Sequence, residues 1–207
     1  MDNDRPSAAN LPASLLWPLR SVVEPLDLRA MFPADQPLEV ELGCGDGSFL
    51  IQYSMLHPDR NFLGVERLLG RLRKLDRKGL RARLTNLRGL RIEAAYCVQY
   101  LLPAHNVQAF HIYFPDPWPK RRHWPRRLVN ERFPTLALQA LAPEGVVYLR
   151  TDDAHYFAQM QVVFQAHPAF AAVETPAELA QVQTDFERDF TTRGVRTLRA
   201  AYQRLPS

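Results

Sequence analysis

The chain has 207 residues, 46% of them apolar and 23% charged, which suits one soluble globular domain with a full core. It opens on the polar Met1-Asp2-Asn3-Asp4, and no apolar run approaches the roughly 18 residues of a membrane span, so neither a secretory segment nor a membrane anchor is expected. The net charge is only +4, but residues 67–91 hold ten Lys/Arg against one acid and residues 116–132 hold six against two, a clustering that points to a polyanionic partner.

Residues 1–36 are proline-rich and weakly periodic, and read as an arm with a short helix near residues 15–19. Residues 37–207 read as one α/β domain. Strands are expected at 38–42, 61–66, 87–92, 109–114 and 145–149, with further strands near 170–173 and 196–203. Helices are expected at 48–56, 68–80, 128–141 and 154–165, the first of them stopped by Pro58. This alternation argues for a mostly parallel sheet with helices on both faces. Cys44 and Cys97 have neither disulfide-framework nor metal-ligand spacing and read as small buried fillers. No metal site is expected, and the compartment expected is a reducing cytoplasm.

The first strand runs into Glu41-Leu42-Gly43-Cys44-Gly45-Asp46-Gly47 and then a helix. Glycines at a strand-to-helix turn let the backbone bend sharply and approach a ligand. A dinucleotide fingerprint is spaced G-x-G-x-x-G and receives a pyrophosphate on the helix dipole. Here Gly43, Gly45 and Gly47 are spaced G-x-G-x-G, and Glu41 ahead of them would repel a pyrophosphate. The acid suits a cation, such as the ammonium or sulfonium of S-adenosylmethionine (SAM). Glu66 ends the second strand, where doubly wound sheets use an acid on ribose hydroxyls. Glu93 follows the third strand and is placed to accept from an adenine amine.

The fourth strand leads into residues 114–128, Phe-Pro-Asp-Pro-Trp-Pro-Lys-Arg-Arg-His-Trp-Pro-Arg-Arg-Leu. Asp116 lies between two prolines, so its backbone is held before any ligand arrives. Lys120, Arg121, Arg122, Arg126 and Arg127 read as a phosphate cradle, worth a salt slope of about −3.5 to −4.5 if all five engage. Trp118 has two readings, a pocket wall or a loop anchor. The basic helix at 67–81 is either a nucleic-acid track or a solvated face. Asp152 is either a substrate contact or an N-cap, His155 is a substrate contact or a helix-start residue, and Thr184 with Glu187 has capping-box spacing.

Residues 36–205 resemble the bacterial tRNA (guanine-N7-)-methyltransferases. The resemblance rests on the glycine loop, on residues 114–128, on Arg150-Thr151-Asp152-Asp153 and on Thr184-Asp185-Phe186-Glu187. It implies a Rossmann-like SAM-dependent methyltransferase fold with an antiparallel C-terminal strand, and methyl transfer from SAM to N7 of a guanosine in the tRNA variable loop. Carried over by position, Glu41, Gly43, Gly45, Glu66, Glu93 and Asp116 contact SAM, and Asp116 is also the catalytic residue. Lys120, Asp152, Thr184, Asp185, Phe186 and Glu187 contact tRNA. The family usually has Asp where Glu93 stands, and residues 193–199 match its C-terminal pattern only in part. No obligatory protein partner is implied, and a monomer and a homodimer both remain open. Two other readings stand beside this one. Asp116-Pro117-Trp118 faintly resembles the motif of exocyclic-amine nucleic-acid methyltransferases, and a non-catalytic tRNA-binding protein with a vestigial SAM pocket is the second.

Overall fold

A computed structural model of the chain describes residues 12–206. Its strands are β1 (Leu38–Leu42), β2 (Asn61–Val65), β3 (Leu87–Leu90), β4 (Val107–Tyr113), β5 (Leu141–Thr151), β6 (Phe170–Val173) and β7 (Leu198–Arg204). They form one sheet in the order β3-β2-β1-β4-β5-β7-β6. Strands β1 to β5 are parallel, and β7 runs antiparallel between β5 and β6. The order reverses between β1 and β4. In open α/β sheets that reversal opens a crevice at the carboxyl ends of the strands, where ligands bind.

The helices are α1 (Leu28–Met31), α2 (Ser48–Leu56), α3 (Leu69–Arg81), α4 (Ala94–Tyr96), α5 (Phe133–Ala140), α6 (Ala154–Gln165), α7 (Ala177–Gln181) and α8 (Asp185–Thr192). A π-helical turn, Cys97–Leu101, continues α4, and a 3₁₀ turn spans Arg121–Arg126. Two apolar clusters lie against the sheet. One gathers Val40, Val65, Phe110, Leu149, Phe164 and Tyr202 with parts of α5 and α6. The other gathers Phe49, Tyr53, Phe62, Leu72 and Leu75 from α2, α3 and β2. A sheet covered on both faces buries its strands throughout, and every residue of β1, β2 and β3 is buried.

Three expectations need correction. Residues 15–19 are not helical. Leu16 bridges to Gly89 in parallel, with Trp17 N–H donating to Gly89 O and Gly89 N–H donating to Leu15 O. The arm therefore extends along the outer edge of β3, where unpaired backbone groups are available. Leu15 is fully buried there, a gain of about 1.5–3 kcal/mol by transfer. It fits because Gly79 on α3 has no side chain: a Cβ at that position would lie 2.3 Å from Leu15 Cδ1. The helix expected from 128 begins only at Phe133. Asn130 folds the preceding segment, its side chain donating to Arg127 O and accepting from Arg132 N–H, and Pro134 then starts the helix. The strand expected at 145–149 extends from Leu141 to Thr151, with a register shift where it meets Val107 and Ala109 of β4. Sequence periodicity also missed α1, α4 with its π turn, and α7, all too short to show a helical repeat. Both cysteines are buried as expected.

Candidate active site

Strand β1 reads Leu-Glu-Val-Glu-Leu, so Glu39 and Glu41 project on the same face. Their fates differ. Glu39 accepts from Arg60 at 2.7 Å and pairs with His111 Nε2 at 2.6 Å. Burial pushes its carboxyl up, but those two partners outweigh it and hold Glu39 below the ordinary value. Glu41 lies one strand position nearer the crevice and is also buried. Its Oε2 has no hydrogen-bond partner among the described residues. Burial pushes its carboxyl from an ordinary 4.5 up to about 8; Arg150 opposes the rise, and Asp46 and Glu66 add to it. A buried carboxyl with an unpartnered oxygen is costly to ionise and marks a place where a cation belongs.

The turn after β1 is built for close approach. Gly43 and Gly45 have φ of +84° and +56°, a region L side chains enter at a cost, and a Cβ on either would meet nothing within 4 Å. The open space beside them is therefore not filled by the chain. Glu66 reaches back from the end of β2, its Oε2 accepting from Gly45 N–H and its Oε1 from Leu68 N–H. Asp46 is tied to Lys78 of α3 at 2.6 Å, and Arg71 lies 3.7 Å from Glu66. Two cations of the basic helix thus balance acids of this site. Glu93 is exposed and N-caps α4, accepting from Ala95 N–H and Tyr96 N–H. Its carboxylate is oriented by that cap and keeps unused lone pairs.

The Asp116 loop leaves β4 across the crevice from Glu41. Phe114 and Trp118, on either side of Pro-Asp-Pro, have φ of 51° and 45°. Left-handed backbone at such bulky residues costs of order 1–3 kcal/mol each and persists only where the surroundings enforce it. One enforcing contact is Phe114 N–H donating to Arg150 O. Another is Arg127, which the sequence suggested as part of the phosphate cradle. It is 1% exposed. Its Nε donates to Pro117 O at 2.8 Å, its Nη1 to Gln159 Oε1, and its guanidinium contacts His155 Nδ1. It also lies over the rings of Tyr156 and Trp124. Arg127 therefore fixes the loop from behind and is not free for phosphate. Asp116, Lys120, Arg121, Arg122 and Arg126 are all exposed. Trp118 packs within the loop, its ring edge-on to His123 and under Arg126.

The segment Thr184–Glu187 closes the other side. Thr184 and Glu187 form the capping box of α8, and both are buried. Glu187 accepts from Arg150 at 2.7 Å and Arg199 at 2.9 Å as well as from Thr184 N–H. Asp185 and Phe186 are the exposed pair of this segment. Asp185 N–H donates to Ser48 Oγ at the start of α2, and Phe186 lies 6.1 Å from Phe114. The glycine-loop helix, the Asp116 loop and this segment thus converge. Asp152 is exposed at the end of β5, and the N-cap of α6 is its neighbour Asp153, which accepts from Tyr156 N–H. The His155 ring lies tilted against Trp124, with centroids 4.5 Å apart. Sequence reasoning missed Arg150 and gave Arg127 the wrong role. The available signal was a charge set inside or against an apolar run, Val-Val-Tyr-Leu-Arg for one and Arg-Leu-Val for the other.

A seven-stranded sheet of this order, with an acid-lined glycine turn at its reversal point, defines a Rossmann-like SAM-dependent methyltransferase. Solved structures share the fold. The 16S rRNA methyltransferase KamB matches with a TM-score of 0.59 and 16% identity over 86% of this chain and 91% of that one. TrmN from Thermus thermophilus matches with a TM-score of 0.60 and 19% identity over 86% of this chain and 47% of that one. A family described as "Putative methyltransferase" matches residues 35–201. The tRNA (guanine-N(7)-)-methyltransferase of Geobacillus kaustophilus is 34% identical over 188 residues, 86% of this chain and 84% of its own length. That of Syntrophotalea carbinolica is 41% identical over 136 residues, 66% of this chain and 59% of its own length. The chain belongs to the tRNA (guanine-N7-)-methyltransferase family.

Proposed function

We infer that this chain transfers the methyl group of SAM to N7 of a guanosine in the tRNA variable loop. The observation that carries the reading is the placement, on the two sides of the β1/β4 crevice, of a buried carboxyl with one unpartnered oxygen and an exposed carboxyl on a loop between two left-handed residues. The residues present fit SAM. Glu41 would hold its cationic end, Gly43 and Gly45 would admit its backbone-side edge, and Glu66 and Glu93 would accept from its hydroxyls and amine. SAM, when bound, supplies an electrophilic methyl on sulfur.

Guanine N7 carries a lone pair at neutral pH, so no residue has to remove a proton first. Catalysis is then positioning and electrostatic stabilisation of the charge that arrives on the purine. Asp116 accepts from the guanine N1–H or amino group and makes the ring more electron-rich. Lys120, with Arg121, Arg122 and Arg126, holds phosphates beside it. Asp152, Asp185 and Phe186 face the substrate, while Thr184 and Glu187 act from behind by fixing the start of α8. The cytoplasm, where tRNA is found, is the compartment this reading implies. Among the described residues no helix is long and apolar enough to cross a membrane.

The test is methyl transfer from labelled SAM to unmodified tRNA and, in parallel, to tRNA carrying 7-deazaguanosine. Transfer to the first alone is expected. Equal transfer to both would move the reaction to another atom and favour an exocyclic amine. SAM binding without transfer to either would favour a binding role.

A further inference from the structure

Beyond the crevice, the C-terminal edge of the sheet is electrically divided. Over β1, β2 and β3 it carries Glu41, Glu66 and Glu93, with Arg71 beside Glu66 and Lys78 tied to Asp46. Over β4, β5 and β7 it carries Lys120, Arg121 and Arg122, then Asp152, and then the run Arg193-Gly194-Val195-Arg196-Thr197-Leu198-Arg199. The cation of that run that is exposed and holds no acid among the described residues, Arg196, lies over β7, which gives an RNA strand presenting a base to Asp116 a basic path over β5 and β7. A concavity of about 560 Å³ lies on that path, a volume within the range of small-ligand sites. Its lining includes Phe157, Thr191, Val195, Arg196, Thr197 and Arg199. Leu198 pairs with Thr151, the residue before Asp152, so the concavity adjoins the substrate edge of the site. Neighbouring strands are about 4.8 Å apart, and β7 is two strands from β4, which puts the concavity on the order of 10 Å along the edge from the Asp116 strand.

The groups in it are not all taken. Of its two arginines, Arg199 holds Glu187, whereas Arg196 is exposed and holds no acid among the described residues. Phe157, on the first turns of α6, is half-buried and offers a ring. Gly194 has φ of +68°, which turns the chain so that Arg196 and Thr197 follow on one rim. A lone guanidinium, hydroxyls and an aromatic ring form the donor set that takes a phosphate and the base attached to it.

We propose that this concavity is a nucleotide subsite. It takes the nucleotide next to the methylated guanosine, with Arg196 on its phosphate and Phe157 against its base. The proposal rests on the tRNA reading above and adds where the strand goes after the target. The experiment uses the full chain and unmodified tRNA. Arg196→Glu is expected to raise the KM for tRNA about tenfold and to reduce the salt slope of tRNA binding by about one, with SAM affinity unchanged. Arg196→Lys should restore most of the loss. In parallel, tRNA carrying 4-thiouridine on either side of the target guanosine is irradiated with the wild-type protein. A crosslink from one side to residues 191–199 or to Phe157 is expected. Unchanged KM and slope in Arg196→Glu, or crosslinks confined to other peptides, would overturn the subsite while leaving N7 methylation standing. A wild-type protein that does not methylate tRNA would sink the parent reading, and the subsite with it.

Discussion

Glu41 makes SAM affinity depend on pH in a calculable way. Its carboxyl is raised to about 8 by burial, and its Oε2 has no partner among the described residues. If the carboxylate is the form that holds a cation, the protein must lose a proton on binding below pH 8. The apparent Kd should then rise about tenfold for each pH unit below 8, roughly 11-fold above its plateau value at pH 7 and about 100-fold at pH 6. Titration calorimetry at pH 6.0, 7.0 and 8.5 measures this directly. Repeating it in buffers of different ionisation enthalpy counts the proton released. S-Adenosylhomocysteine keeps the ammonium but lacks the sulfonium. The same slope for both ligands places the ammonium at Glu41, and a slope for SAM alone places the sulfonium there. Stability should move in the opposite sense. A folded-state value raised above the unfolded one gives stability that is full below pH 4.5 and is lost as pH rises through 8, about 4 kcal/mol by pH 8. Glu41→Gln should therefore bind SAM weakly at every pH, yet resist urea better than the wild type at pH 8.5. A pH-independent Kd in the wild type, or a Glu41→Gln variant less stable at pH 8.5, would refute the reasoning.

Arg127→Met removes a buried donor from Pro117 O and Gln159 and should cost about 2–4 kcal/mol in urea unfolding. Its methylation rate should fall more than its tRNA affinity, and Arg127→Lys should not rescue it, because one ammonium cannot span the same planar set of partners. Replacing any one of Lys120, Arg121, Arg122 or Arg126 with Gln should reduce the salt slope of tRNA binding by about 0.7–0.9, whereas Arg127→Met should leave it unchanged; a loss at Arg127 equal to the others would return it to the phosphate cradle. Asp116→Ala should lower methylation of tRNA by about 100-fold or more while tRNA binding, read by filter retention, stays within about threefold. Equal losses in rate and binding would mean that Asp116 holds RNA and does not assist transfer.

The sheet was legible because its strands are short apolar runs, and both the glycine turn and the antiparallel end were expected. The arm was not. Its Leu15-Leu16-Trp17 has helix-like composition, and what decides its conformation is Gly79 and Gly89, more than 60 residues away. Glu41, Glu66 and Asp116 were legible as candidates because each lies near or just past the end of a strand. Arg127 was misread because sequence shows a run of cations and not which of them turns inward. The loop alternates exposed cations with Trp118 and Trp124, and only the packing of α6 beneath it selects Arg127 for burial. Glu187 presents the same problem in reverse. Its capping-box spacing was visible, but not that Arg150 and Arg199 would occupy both of its oxygens.

On the proposed function, Asp116 serves the purine end of a charge displacement, and Glu41 serves its sulfur end if the sulfonium is the cation it holds. During transfer, positive charge leaves the donor's sulfur and appears on the purine. A carboxylate serves the first end best when it is poorly solvated, because its attraction for a cation is then large and its own charge is reluctant to exist without one. Glu41 is such a group. The second end needs a carboxylate already placed, since the purine's charge develops only in the transition state. Asp116 is solvent-exposed, and its position is held by two prolines and two left-handed residues, with Arg127 behind them. Exchanging the environments would weaken the first role: an exposed acid at position 41 would attract a cation less strongly. On the proposed function, a division of labour with binding on the β1 side and rate on the β4 side would follow from how each carboxylate is solvated.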